Sequence, residues 1–113
     1  MHEMALMESV LEIVEDEARR AGATRVTVVR LAVGVLSHVD PEALRFCFEA
    51  VTNGTTAAGA RLEIDRVAGA GWCLDCSTTV ALDERFGDCP QCGGRRVQMT
   101  AGDDLRVAEL EVV

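Results

Sequence analysis

The chain has no lysine; all 11 of its basic residues are arginine. That excludes Schiff-base chemistry, a catalytic lysine and the phosphate-binding lysine of a P-loop. No apolar run approaches the ~18 residues of a membrane span, and no basic stretch precedes an apolar one at the Met-His-Glu-Met start, so a cytoplasmic protein without a membrane partner is expected. Internal repeats and low-complexity linkers are also lacking. Cations are outnumbered by 19 Asp and Glu, leaving a formal charge of −8 that repels nucleic-acid phosphates and anionic lipid. At 113 residues the chain can bury one hydrophobic core, and a second module needs a staple.

What is present reads as an α+β protein. From Met4 to Ala21, Met7, Val10, Leu11, Val14 and Ala18 recur at helical spacing, with Leu6 and Ile13 widening the stripe. Acids precede Arg19 and Arg20, which suits the helix dipole, and Gly22 is placed to end the helix in a left-handed cap. Arg25 to Val33 is rich in β-branched residues and predicts a buried strand. Asp40-Pro41-Glu42 is a helix start, Leu44, Cys47, Phe48 and Val51 line one face, and Asn53-Gly54 is the stop. Arg61 to Val67 and Leu105 to Val113 alternate as strands with one wet face. The expected architecture is two helices packed on a three-stranded sheet, with an inserted zinc-ribbon-like subdomain. Residues 1–68 and 103–113 would form the main domain and 69–102 the insert.

The insert carries the strongest chemical signal. Cys73-Leu-Asp-Cys76 and Cys89-Pro-Gln-Cys92 are two Cys-x-x-Cys hooks 12 residues apart, able to present four thiolates tetrahedrally to one zinc ion. Five cysteines are an odd count, and a reducing compartment argues against a disulfide framework. A closed four-thiolate site has no open position for water or substrate, so it is structural rather than catalytic. A rubredoxin-type iron site uses the same ligands, and spacing does not separate the two metals. A thiol-redox role needs one hook at a helix N-terminus, whereas here two are paired among turn residues. Cys47 falls on an apolar helix face and reads as a small core residue.

The amino terminus offers a second set of donors. His2 can close a chelate through the α-amine of Met1, its own amide nitrogen and an imidazole nitrogen, with the Glu3 amide nitrogen completing a square plane. Such a nitrogen-rich plane suits Ni(II) or Cu(II) rather than Zn(II), and it weakens as pH falls because both amides must lose protons. A histidine at position two is also what a solvated terminus looks like. His38, just before the second helix start, reads as a loop residue.

Taken in order, these residues resemble the HypA/HybF family of hydrogenase-maturation nickel metallochaperones. The resemblance runs from end to end. It rests on Met1-His2-Glu3 opening a helix, Gly34 and Ser37 ahead of Leu44-Arg45-Phe46-Cys47-Phe48, and Gly54-Thr55 followed by Gly59. Trp72-Cys73-Leu-Asp-Cys76, Cys89-Pro-Gln-Cys92-Gly93 and the closing Asp104-Leu105-Arg106-Val107 complete it. The resemblance implies a protein that is not an enzyme, carries Ni(II) as cargo and holds a structural Zn(II). Its implied partners are a HypB-type GTPase and the precursor large subunit of [NiFe]-hydrogenase, and in some organisms it also supplies urease. Met1, His2 and Glu3 match the nickel site; Cys73, Cys76, Cys89 and Cys92 match the zinc ligands. A monomer or weak homodimer is expected, with no nucleic acid bound. Some relatives have histidine near the second hook where this chain has Gly93. The rival from another class is a zinc-ribbon protein-interaction adaptor, which would use the four cysteines and ignore His2.

Overall fold

The computed structural model describes residues 2–113. Two helices and six strands follow in the order α1 (Glu3–Arg20), β1 (Val26–Gly34), α2 (Pro41–Thr52), β2 (Arg61–Val67), β3 (Gly69–Cys73), β4 (Thr78–Leu82), β5 (Val97–Ala101) and β6 (Leu105–Val112). They divide into two compact units. One holds the chain up to Leu31 with Val39–Asp65 and Arg106–Val113; the other holds Ala32–His38 and Arg66–Leu105.

In the first unit the helices end where their sequence says they should. The α1 C-terminus closes with Gly22 at φ 67°, its N–H donating to Arg19 C=O (3.1 Å) while Ala23 N–H reaches Ala18 C=O (2.9 Å), the paired bonds of a glycine cap. The Asp40 carboxylate accepts the Glu42 N–H (3.0 Å) at the start of α2, with Pro41 in the first turn. α1 packs against α2, burying Met7, Val10, Val14 and Ala18 on one helix and Leu44, Cys47, Phe48 and Thr52 on the other. Ile13, on the widened side of the α1 stripe, stays 49% exposed, so the buried face is narrower than the apolar pattern suggests.

The three segments expected to be strands form one sheet, ordered β2-β1-β6 with β1 at its centre. Arg25 and Val113 exchange hydrogen bonds at one end and Gly34 N–H donates to Asp104 C=O at the other, so β1 and β6 run antiparallel. Val26 N–H donates to Thr56 C=O and Val35 N–H to Val67 C=O, an order that makes β1 and β2 parallel with α2 as their crossover. On the sheet's polar face Arg30 reaches Glu63 (2.6 Å), Asp65 (3.6 Å) and Glu109 (3.3 Å), one cation tying both neighbouring strands to the central one.

The second unit contains its own sheet, ordered β4-β3-β5. β3 pairs antiparallel with β4 from Gly69↔Leu82 to Cys73↔Thr78, and with β5 from Ala70↔Ala101 to Cys73↔Val97, with a bulge at Ala70/Gly71. Its core is Leu36, Cys73, Val80, Leu82 and Cys89, with Cys76, Val97 and Met99 packed against it. Leu36 brings residues 32–38 into this unit, although sequence alone assigns them to the main domain. Its N–H donates to Gly102 C=O (2.7 Å), and its carbonyl accepts from Arg85 Nε (2.8 Å).

Backbones crowd at this point. A Cβ on Gly34 would stand 2.1 Å from the Gly102 carbonyl oxygen, and one on Gly102, at φ 91°, 2.6 Å from Gly69 Cα. Neither obstruction is a side-chain tip that can swing away. Gly34→Ala is expected to cost about 1–3 kcal/mol of stability, read as a lowered denaturation midpoint; an unchanged midpoint would show that the crossing relaxes freely.

Candidate metal centre

The second sheet positions the four cysteines. Cys73 is the last residue of β3 and faces both Thr78 at the start of β4 and Val97 at the start of β5, so both hooks gather at one end of the sheet. The first hook is the β3–β4 turn: Ser77, at φ 54°, donates its N–H to Cys73 C=O (2.8 Å). The second folds back through Gly93, at φ 74°, whose N–H donates to Cys89 C=O (2.9 Å), while Cys89 N–H donates to Gly94 C=O (2.8 Å). That sign of φ carries a steric penalty for a side chain, which glycine avoids.

The four sulfurs all lie within 4.8 Å of one another, with Cys73 Sγ to Cys92 Sγ at 3.6 Å and Cys76 Sγ to Cys89 Sγ at 3.7 Å. A tetrahedron with Zn–S bonds of about 2.3 Å has edges of roughly 3.8 Å, so this donor set fits a structural zinc ion. Backbone amides support it. Cys76 N–H donates to Cys73 Sγ, Gln91 and Cys92 N–H to Cys89 Sγ, and Gly94 N–H to Cys92 Sγ, each at 3.4 Å. This is the cluster of metal-ligating side chains found among the described residues.

Without a cation these thiols titrate apart. The amides of Cys92 and Gln91 lower Cys89 to about 7, while burial and the neighbouring thiols push Cys76 up to about 12. Cys92 is raised too: the Gly94 amide favours its thiolate, but contact with Cys73, burial and Cys89 outweigh that. A divalent ion reverses the balance by neutralising charge that the sulfurs cannot share.

Asp75 and Arg96 lock the hooks together. Arg96 Nε and Nη2 both donate to Asp75 Oδ1 (2.8 and 2.6 Å), joining the first hook to the chain just beyond the second. Gly94 makes room for that carboxylate, since a Cβ there would stand 2.2 Å from Asp75 Oδ2. Neither Asp75 nor Arg96 is marked by spacing in the sequence.

The amino-terminal donors lie in the first unit. Met1, assigned as the amine donor, lies outside the described residues. His2 is exposed at the N-cap of α1, where its side chain makes no capping bond and its carbonyl accepts the Leu6 N–H (2.8 Å). The Glu3 carboxyl is held below the usual carboxylate range, first by its own backbone N–H and then, against some desolvation, by the Asp40 N–H and by the charge and N–H of His2. Asp40 N–H reaches Glu3 Oε2 at 3.5 Å, placing the α2 N-terminus beside the start of α1, a proximity no local pattern announces. His38 is an exposed loop residue at φ 59°, and Cys47 is buried on α2, both as expected.

Fold and site together define a small α+β metal-binding protein with a closed four-cysteine centre. The model of a family described as hydrogenase/urease nickel incorporation, metallochaperone, hypA, matches residues 1–112. A hydrogenase maturation factor HypA of Rhizobium leguminosarum bv. viciae is 67% identical over 113 residues, covering 100% of both chains. Another, of Methylocella silvestris, is 62% identical over 112 residues, 99% of each. The solution structure of the Ni metallochaperone HypA from Helicobacter pylori superimposes with a TM-score of 0.75 at 25% identity, covering 100% of this chain and 98% of that one. The chain belongs to the HypA family.

Two outcomes follow for the cysteine centre. Metal competes with protons for the thiolates, so zinc affinity is expected to rise from pH 6 to pH 8 and zinc to be lost on acidification; a pH-independent affinity in a competitive chelator titration would contradict thiolate ligation. Gly94→Ala, which displaces Asp75 from Arg96, is expected to weaken zinc about 10-fold without removing a ligand; unchanged affinity in the same titration would show that the Asp75–Arg96 lock is dispensable.

Proposed function

We propose that the chain is a nickel metallochaperone, loading Ni(II) at its N-terminus and delivering it, with a HypB-type GTPase, to the precursor of the [NiFe]-hydrogenase large subunit, and to urease where one is made. The observation that carries this reading is His2: an exposed imidazole at the N-cap of α1, taking no part in capping, in a chain of the HypA family. The Met1 amine, the His2 amide and imidazole nitrogens and the Glu3 amide nitrogen would hold the cargo. Residues 1–68 and 103–113 are assigned to nickel binding, and 69–102 to a zinc ion held by Cys73, Cys76, Cys89 and Cys92.

The chemistry needed is ligand exchange. To take nickel in a square plane, the His2 and Glu3 amides must release protons, and both amides contribute to holding the Glu3 carboxylate in its charged form. Loading therefore breaks those contacts and is favoured by rising pH. Release reverses it, because each nitrogen can be reprotonated or displaced singly by a partner's ligands. A caged four-thiolate site cannot empty in that stepwise way while its fold persists. No step makes or breaks a covalent bond in a substrate, so the chain acts as a carrier and not as an enzyme.

The test is calorimetric nickel titration of untagged, zinc-loaded protein beside His2→Ala and an N-terminally extended form. One equivalent should bind to the native terminus, and nickel binding should be abolished in the other two. Equal binding by all three would return His2 to an ordinary helix terminus.

A further inference from the structure

The four cysteines are not equally accessible. Cys73 is 0% exposed and Cys89 3%, both within the core of their unit; Cys76 is half-buried, and Cys92 is open to solvent. Amide bonding sharpens the contrast between the two sulfurs of the second hook. Cys89 Sγ accepts two backbone N–H groups, from Gln91 and Cys92, whereas Cys92 Sγ accepts one, from Gly94. Each donated N–H draws charge from a thiolate and blunts it as a nucleophile. The sulfur that an external reagent can reach is thus the less restrained of that pair. The close sulfur approaches, Cys73 to Cys92 and Cys76 to Cys89, each join one hook to the other.

We propose that Cys92 is a thiol–disulfide exchange site for small disulfides of the glutathione class, and that a Cys73–Cys92 disulfide is the product that expels the metal. This rests on the reading of the four cysteines as a zinc site. In the first step the Cys92 thiolate attacks one sulfur of the small disulfide; a mixed disulfide forms and one glutathione thiolate leaves. In the second, Cys73 Sγ, 3.6 Å away, attacks Cys92 Sγ, forming the intramolecular disulfide and releasing the second glutathione thiolate. Two electrons pass from the protein sulfurs to the reagent, which is reduced to two thiols. With Cys73 and Cys92 joined, only Cys76 and Cys89 would remain to hold a metal, too few for the closed four-thiolate site. Because the bond crosses from hook to hook, it takes over the metal's role of closing the chain between residues 73 and 92, and the change is reversible by a thiol. A thioredoxin-like hook, by contrast, would close within itself.

The experiment treats the zinc-loaded full chain with oxidised glutathione, follows zinc with a chelating dye, and maps modified cysteines by peptide mass spectrometry. The first adduct is expected on Cys92, formed at least about tenfold faster than on Cys76 or on buried Cys47, which serves as an internal control. One Cys73–Cys92 disulfide should then accompany each zinc released, and dithiothreitol with zinc should restore the starting protein. A first adduct on Cys76, a disulfide within one hook, zinc retained after Cys92 is modified, or no reaction at all would overturn the proposal. Protein isolated without zinc, measured before any disulfide is added, would overturn the zinc reading and this proposal with it.

Discussion

Four sulfur atoms within 4.8 Å of one another cannot all carry charge unless a cation sits among them. The second unit depends on that constraint. Its strands are five residues each, two of the five residues that form its buried core are themselves cysteines, and its β3 contains two glycines. So small a sheet buries little apolar surface per ordered residue and is marginal without a further tie. The metal supplies the tie at the end where β3, β4 and β5 begin or finish, and the Asp75–Arg96 pair repeats it a few residues outward. Binding free energy at such a site is folding free energy.

The first unit is built the other way. Its helices and central strand bury Met7, Val10, Val14, Val26, Val29, Leu31 and Leu44, so apolar packing holds it together. The proposed nickel donors lie at its edge, at the exposed start of α1, where they could come and go without disturbing the core. The proposed carrier function needs such a division: an ion that stays, held by soft thiolates in a closed cage, and an ion that leaves, which nitrogen donors on an open terminus would hold.

Much of this was legible in the sequence because it is local. The α1 stripe, the Asp40-Pro41 helix start, the Gly22 cap and the two hooks each announce themselves within a turn or two of chain. Ile13 shows where such reading overreaches, since an apolar residue at helical spacing is only as buried as what packs over it. The strands of the second unit are not legible in the sequence, for a different reason. Gly-Ala-Gly-Trp-Cys has the composition of a turn, and it is a strand because β4 and β5 flank it. Likewise Leu36 joins the cysteine unit, Asp75 meets Arg96 and the Asp40 amide meets Glu3 only after folding brings residues 21 to 49 positions apart together.

The central claim is that two metals occupy two sites of different chemistry. X-ray absorption at the nickel and zinc edges of protein loaded with both tests it in one sample. The account predicts a nickel shell of four nitrogen scatterers in a plane and a zinc shell of four sulfurs at about 2.3 Å. Sulfur scatterers around nickel, or fewer than four around zinc, would place the cargo among the cysteines and contradict the division of labour.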